Sequence, residues 1–381
     1  MTPGIEIFLR ERAAAFRGAR IALLAHAASV LPDLTHTLDA LLAAGLNVVA
    51  VLGPEHGFRG AEQAGLSTTS YQDPVTGIPV LDAYARPMAE VLADVAPEVV
   101  LADVQHAGAR FYTYEASLHD LISAAGAAGI GVLVADRPNP IGGVCVAGPV
   151  LEPEYASFVG RVPVPLRHGL TIGEFAQLVA QLRGAADVVE VIGMTGWRRG
   201  DEYPQTGLPW VPPSPNLPDQ AALACYPGTC LMEGTRLSAG RGTTIPFQLV
   251  GAPWADERLA VRLRAIGLPG VAFRAASAIP QFDRYAGQPI CGVQLHVTDS
   301  ASFDPIRAAL EIIAAALHLW PAEMTFREDH FDRLAGTAEL RRALMAGAEP
   351  ADIVAGWSAG LREFEAVRAG QLRYEEGDGS A

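Results

Sequence analysis

Two ionisable side chains, Glu55 and His56, stand side by side in VLGPEHGFRG, residues 51–60, framed by Gly53, Gly57 and Gly60. Glycines so spaced let a loop turn sharply, so that a carboxyl at its apex projects away from the backbone. A glutamate held between apolar residues is desolvated and keeps its proton nearer neutrality, as a general acid must. The same spelling also fits a tight turn that is merely polar. DVQHAGARFYTY places Asp103, His106, Arg110, Tyr112 and Tyr114 within twelve residues. That mixture suits a sugar, whose faces stack on rings and whose hydroxyls bond to charged groups; it also suits an Arg–Asp pair tying a loop to a helix start. DRPNP holds Asp136, Arg137 and Asn139 among stiffening prolines, either as a ligand-facing edge or as a rigid turn in which Asn139 bonds its own main chain. Farther on, VPVPLRHGLT carries Arg167 and His168, and YPGTCLMEGTRLSAGRGTT carries Glu233, Arg236, Arg241 and Thr243.

The elements that must position these groups follow a simple alternation. RIALLAH (20–26), LNVVAVLG (46–53), EVVLADV (98–104), IGVLVAD (130–136) and DVVEVIGM (187–194) read as short, continuously apolar strands. Between them, residues 34–45, 86–95, 114–129 and 171–184 carry helical periodicity. Strands of that kind between amphipathic helices predict a parallel sheet covered on both faces, an α/β fold. Three of the polar segments begin where a strand ends, the edge at which open parallel sheets bind ligands. From about residue 195 the texture changes to Pro, Gly and Trp, then to strands such as ICGVQLHV (290–297) and helices near 305–319, 334–346 and 350–369. The chain length calls for more than one core, which gives an α/β domain over 1–195 and a smaller α+β domain over 196–381.

Composition removes several classes of function. The net charge of −14 is spread thinly with no basic tract, which argues against nucleic acid. No apolar run reaches the twenty or so residues of a membrane span, and the N-terminus lacks a signal-peptide layout, so a cytoplasmic protein is expected. All 28 basic residues are arginine, which excludes Schiff-base chemistry and a Walker phosphate loop, both of which need lysine. Cys145, Cys225, Cys230 and Cys291 are scattered without C-x-x-C spacing. His56, His168, Asp103 and Asp136 have no metal-binding spacing, so no metal is expected. AGAAGIG (125–131) closes a helix rather than opening one, so no dinucleotide cofactor is expected either.

GPEHGFRG, GARFYTY, DRPNPIGG, FVGRVPVPLRHGLTIGE, TGLPWVPPSPNLP and YPGTCLMEGTRLSAGRGTTIPFQLVGAPW occur in this order. Together they resemble the bacterial exo-β-N-acetylmuramidase (NamZ-like) family, from about residue 20 to the C-terminus. The resemblance implies a Rossmann-like domain with a smaller partner domain, an active site in the cleft between them, and release of terminal N-acetylmuramic acid from peptidoglycan fragments without NAD or metal. It implies Glu55 as a catalytic carboxyl, with His56, Asp136 and Glu233 as candidates to assist it. Arg59, Asp103, Arg110, Tyr112, Tyr114, Arg137, Asn139, Arg167, His168, Asn216, Arg241 and Thr243 fall in the segments that would bind the sugar. Four departures from the family pattern stand out: His106 for aspartate, Glu115 for a small or apolar residue, AHAAS (25–29) for an Asn- and Gly-containing loop, and Arg236 for asparagine. The alternatives are a sugar-binding protein without turnover and a glycosidase for another acidic amino sugar. Among the arginines, Arg59 is the expected reader of the lactyl carboxylate because it follows the Glu55 loop.

Overall fold

The structure, a computed structural model, describes residues 1–63, 65 and 69–376. The first strands in chain order are β1 (Ile21–Ala25), β2 (Val48–Gly53), β3 (Tyr71–Gln72), β4 (Pro79–Asp82), β5 (Val99–Asp103) and β6 (Gly131–Ala135). They are followed by β7 (Ala147–Val150), β8 (Pro165–Arg167), β9 (Val189–Ile192), β10 (Leu249–Ala252), β11 (Val271–Ala278) and β12 (Ile290–Val297). A seven-stranded sheet runs β3-β4-β2-β1-β5-β6-β9, parallel throughout except at β3. Counting only the parallel strands along the chain, their spatial order is 3-2-1-4-5-6, as in doubly wound dinucleotide-binding sheets, with the order reversing between β1 and β5. β1 and β5 are buried at every position, as strands covered on both faces must be. Leu23, Val51, Val80, Leu101 and Leu133 join Leu38 and Leu41 in one core cluster. β3 and β4 have no counterpart in the sequence reading, because PVLD is too short a run to show periodicity.

The chain divides into two compact units. The first comprises Met1–Cys145, His168–Pro215 and Ala366–Ala381, and the second Val146–Arg167 and Asn216–Glu365. A single break at residue 195 is therefore not where these units part: the β7–β8 hairpin is lent to the second unit, and the C-terminal segment returns to the first. The return is fixed by Tyr374, whose hydroxyl accepts from the Met194 N–H at 3.0 Å and donates to Asp136 at 2.6 Å. The second unit holds an antiparallel sheet, β10-β12-β11, and helices that include Pro305–Leu319. Among the described residues no helix is long and apolar enough to cross a membrane.

Two buried carboxylates tie the carboxyl edge of the large sheet together. Asp103, at the end of β5, accepts from Arg137 Nε at 2.5 Å and Nη2 at 2.8 Å, and from Thr37 Oγ1 at 2.5 Å. Asp136, just past β6, accepts from the N–H groups of Arg137 (2.9 Å) and Gly173 (2.7 Å) and from the hydroxyls of Thr171 (2.8 Å) and Tyr374 (2.6 Å). Gly173 permits this approach, since a Cβ there would lie 2.5 Å from the Asp136 carboxyl carbon. Burial nevertheless pushes the Asp136 pKa up to about 6, with the nearby Glu174 carboxylate adding to it against these hydrogen bonds.

Asp136 should therefore make stability fall as pH rises. Its carboxyl stays protonated in the folded chain between the ordinary value of 3.8 and about 6, so its contribution is full below 3.8 and lost by about 6. A rise of roughly two pKa units corresponds to about 3 kcal/mol. Thermal unfolding of the wild type and Asp136→Asn between pH 4 and pH 7 checks this. The wild type should lose stability relative to the variant across that window; parallel curves would contradict it.

Candidate active site

GPEHG forms the turn that its glycines predict. The Gly57 N–H donates to the Pro54 carbonyl at 2.9 Å, and His56, third in the turn, takes φ 70°. Positive φ at that position normally belongs to glycine. A histidine held there carries about 1–3 kcal/mol of strain, a cost that concentrates at functional sites. Part of what holds it is visible: the His56 Nδ1–H donates to the Glu62 carbonyl at 2.8 Å. Gly57 and Gly60 follow with φ 73° and 70°.

The turn places Glu55 inward rather than on the surface, at 7% exposure. Its Oε1 accepts from the Gly65 N–H at 2.6 Å, and its Oε2 from the Thr113 hydroxyl at 2.6 Å. The Tyr84 phenol also bonds to this carboxylate, and burial together with the Glu55 charge pushes that phenol up to about 12. Tyr114 supports the loop from below: its hydroxyl donates to the Glu55 carbonyl at 3.2 Å and to the Pro213 carbonyl at 2.8 Å. The rings of Tyr112 and Tyr114 meet edge-on at 4.7 Å.

The helix Tyr114–Ala128 begins beside the Glu55 carboxyl, with Thr113 at its N-cap. The second residue of that helix, Glu115, is 2% exposed and accepts through Oε1 from His106 Nδ1 and His168 Nε2, each at 2.9 Å. The Leu170 N–H donates to His168 Nδ1 at 3.1 Å, so the proton of a neutral His168 lies on Nε2. The two imidazoles hold Glu115 down to about 2 against the opposing effect of burial. Burial lowers His106 and pushes the neighbouring Arg110 guanidinium down to about 9.

Several expected ligand-facing residues turn out to be taken up by the scaffold. Asp103 and Arg137 pair with each other, and Asp136 is enclosed by its four donors. Asp136 also sits three strands from the end of β2, roughly 14 Å at ordinary strand spacing. Asn139 takes its turn-forming alternative, donating to the Leu170 carbonyl at 2.9 Å and accepting from the Ile141 N–H at 3.2 Å. Arg59 grips Asp73 with Nη2 at 2.9 and 3.0 Å from the two oxygens, while its side chain keeps 39% exposure. His168 is fully buried against Glu115.

In the second unit, Glu233 accepts from Arg241 Nε at 2.7 Å, and its side chain is 25% exposed. Arg241 lies 5.1 Å over the Phe247 ring. Thr243 closes its own turn by donating to the Gly240 carbonyl at 2.6 Å. Asn216 is buried, and Arg167 ends β8 half-buried. A cavity of about 660 Å³ lies in this unit beside His318, Phe326 and Met345, and none of these candidates lines it.

Sequence reasoning missed Thr113 and Tyr84. Thr113 stands between two tyrosines that were singled out, and a small hydroxyl among rings was the available signal. Tyr84 follows β4, whose Asp82 pairs in register with Gly53 at the end of β2. Without β4 nothing links it to Glu55. His26 was missed as well: it plugs the switch point, accepting the Gln105 N–H at 2.9 Å, and burial keeps it neutral.

Residues 21–221 match the family model for the N-terminal domain of exo-β-N-acetylmuramidase NamZ, and residues 224–374 that for its C-terminal domain. The chain is 40% identical to the peptidoglycan β-N-acetylmuramidase NamZ of Bacillus subtilis (strain 168), over 97% of this chain and 91% of that protein. Crystal structures of two DUF1343 family proteins from Bacteroides fragilis NCTC 9343 share its fold. One has a TM-score of 0.89 at 31% identity, covering 98% of this chain and 99% of that one. The other has a TM-score of 0.75 at 30% identity, covering 99% of each. With both domains matched across nearly its whole length, the chain belongs to the exo-β-N-acetylmuramidase NamZ family.

Proposed function

We propose that this protein is an exo-β-N-acetylmuramidase that releases N-acetylmuramic acid from the non-reducing end of peptidoglycan fragments, with Glu55 as the general acid. Within the family assignment, the observation that carries the catalytic role is the strained His56 turn that holds a buried glutamate against a hydroxyl. Glycoside hydrolysis needs a proton delivered to the leaving oxygen. A hydroxyl both donates and accepts, so Thr113 suits Glu55 before and after it gives up that proton. The carboxylates at neighbouring strand ends are engaged elsewhere: Asp82 with the Tyr84 and Ala85 N–H groups, Asp103 with Arg137, and Asp136 with its four donors. That favours attack by the sugar's own acetamido oxygen over a carboxylate nucleophile from this edge. Cys145, Cys225, Cys230 and Cys291 form no disulfide, which fits a reducing cytoplasm, where wall fragments are recycled.

Glu55→Gln should lower turnover of a chromogenic β-N-acetylmuramide by roughly a hundredfold or more, with the fold intact. The wild type should prefer that substrate to the matching β-N-acetylglucosaminide. A variant with near-normal rates would remove Glu55 from the chemistry, and equal turnover of the two sugars would remove the muramidase reading.

The Asp73 pairing changes what is expected of Arg59. A substrate carboxylate would have to displace an existing fork, so Arg59→Met should lower activity on both sugars in the same proportion. A loss confined to the muramide would make Arg59 the reader of the lactyl group.

His106, Glu115 and His168 offer three ligand atoms within 4.8 Å of one another. They do not fit a metal. A ligating Nε2 would leave the His168 proton on Nδ1, facing the Leu170 N–H, donor against donor. Activity should therefore survive exhaustive chelation; a loss restored by added zinc would overturn this.

A further inference from the structure

Thr113 occupies the N-cap of the helix Tyr114–Ala128 but makes no capping bond. At that position a threonine hydroxyl ordinarily accepts a first-turn N–H and stabilises the helix. Here it is turned to the Glu55 carboxylate at 2.6 Å. The helix start is instead held two residues on by Glu115, bound through one oxygen to His106 and His168. His106 belongs to the loop that leaves β5, and the Leu170 N–H orients His168. Three consecutive residues thus divide two tasks: Thr113 and Tyr114 hold the side chain and main chain of Glu55, and Glu115 fixes the turn from which both project.

We propose that Glu115, clamped by His106 and His168, is a positioning residue for Glu55 that acts through the Thr113 hydroxyl. Glu115 meets Glu55 through no hydrogen bond of its own. Its effect is to fix where the helix begins and therefore where that hydroxyl points. Loss of the clamp should lower the rate of the chemical step while leaving ground-state sugar binding nearly unchanged, since a misplacement of about 1 Å can cost up to a hundredfold in rate. The inference rests on the reading of Glu55 as general acid.

The test is steady-state kinetics of the full chain on a chromogenic β-N-acetylmuramide, with Thr113→Val, Glu115→Gln and the double variant beside Glu55→Gln. Thr113→Val and Glu115→Gln should each lower kcat by about ten- to a hundredfold with KM little changed. The double variant should be no slower than the slower single, because the two residues act in series. Multiplying losses in the double variant, a KM effect alone, or a normal kcat in folded Glu115→Gln would overturn the proposal. Should Glu115→Gln fail to fold, His106→Ala and His106→Asn carry the same test. Asparagine can still donate to Glu115 and should restore kcat where alanine does not; equal rates for the two would overturn the clamp. A Glu55→Gln variant that stays active would instead bring down the general-acid reading itself, so the two failures can be told apart.

Discussion

Everything at the carboxyl edge of the large sheet depends on neutralising charge that the parallel topology buries there. The ends of β1, β5 and β6 are buried, and the polar residues that leave them must find partners in the protein or incur a desolvation cost of several kcal/mol per ion. The Asp103–Arg137 fork meets that constraint. It joins the end of β5 to the loop after β6, and through Thr37 and the Val30 carbonyl it reaches the segment after β1. Losing either partner would leave a buried charge exposed to neither water nor counter-ion, so the loops that flank the switch point are fixed as a set.

Against that background the carboxylates separate into two kinds. Asp103 is held by the Arg137 fork and the Thr37 hydroxyl, Asp136 by two main-chain N–H groups and two hydroxyls, and Glu174 by Arg199, at 2.6 and 2.9 Å, and the capping box of its own helix. Glu55 keeps 7% exposure where those three keep none, and its partners include the Thr113 hydroxyl and the Tyr84 phenol, groups whose protons can reorient. A carboxyl held by rotatable hydroxyls can change protonation without rebuilding its surroundings. Its seat on a left-handed histidine fits the same division, since strain of that kind survives only where neighbouring structure holds it.

The absence of lysine acquires a structural meaning here. Arg59, Arg137, Arg199 and Arg341 each present a planar fork to a carboxylate, an arrangement no ammonium can copy. The chain uses its always-charged cation as internal cross-linking between loops. This use engages Arg59 with Asp73 and Arg137 with Asp103.

The sequence by itself determined what is local. Continuous apolar runs gave the buried parallel strands, glycine spacing gave the Glu55 turn, and the long ordered motifs gave the family. The reading faltered where an element was too short for periodicity, as at β4, or where one helical pattern hid a break, as between Pro350–Gly356 and Ser358–Ala369. Only the tertiary structure decided which charges pair. Asp103, Asp136 and Glu55 all read as acids at strand ends, and nothing local separates them. Strand order sets their neighbours: β5 lies beside β1 and β6, which brings Arg137 to Asp103, while β2 lies beside β4, which brings Tyr84 to Glu55. It likewise decided that His106, Glu115 and His168, 9 and 53 residues apart, would meet. Pairings over such separations follow from where the sheet puts each loop, and residue type and spacing along the chain do not encode that placement.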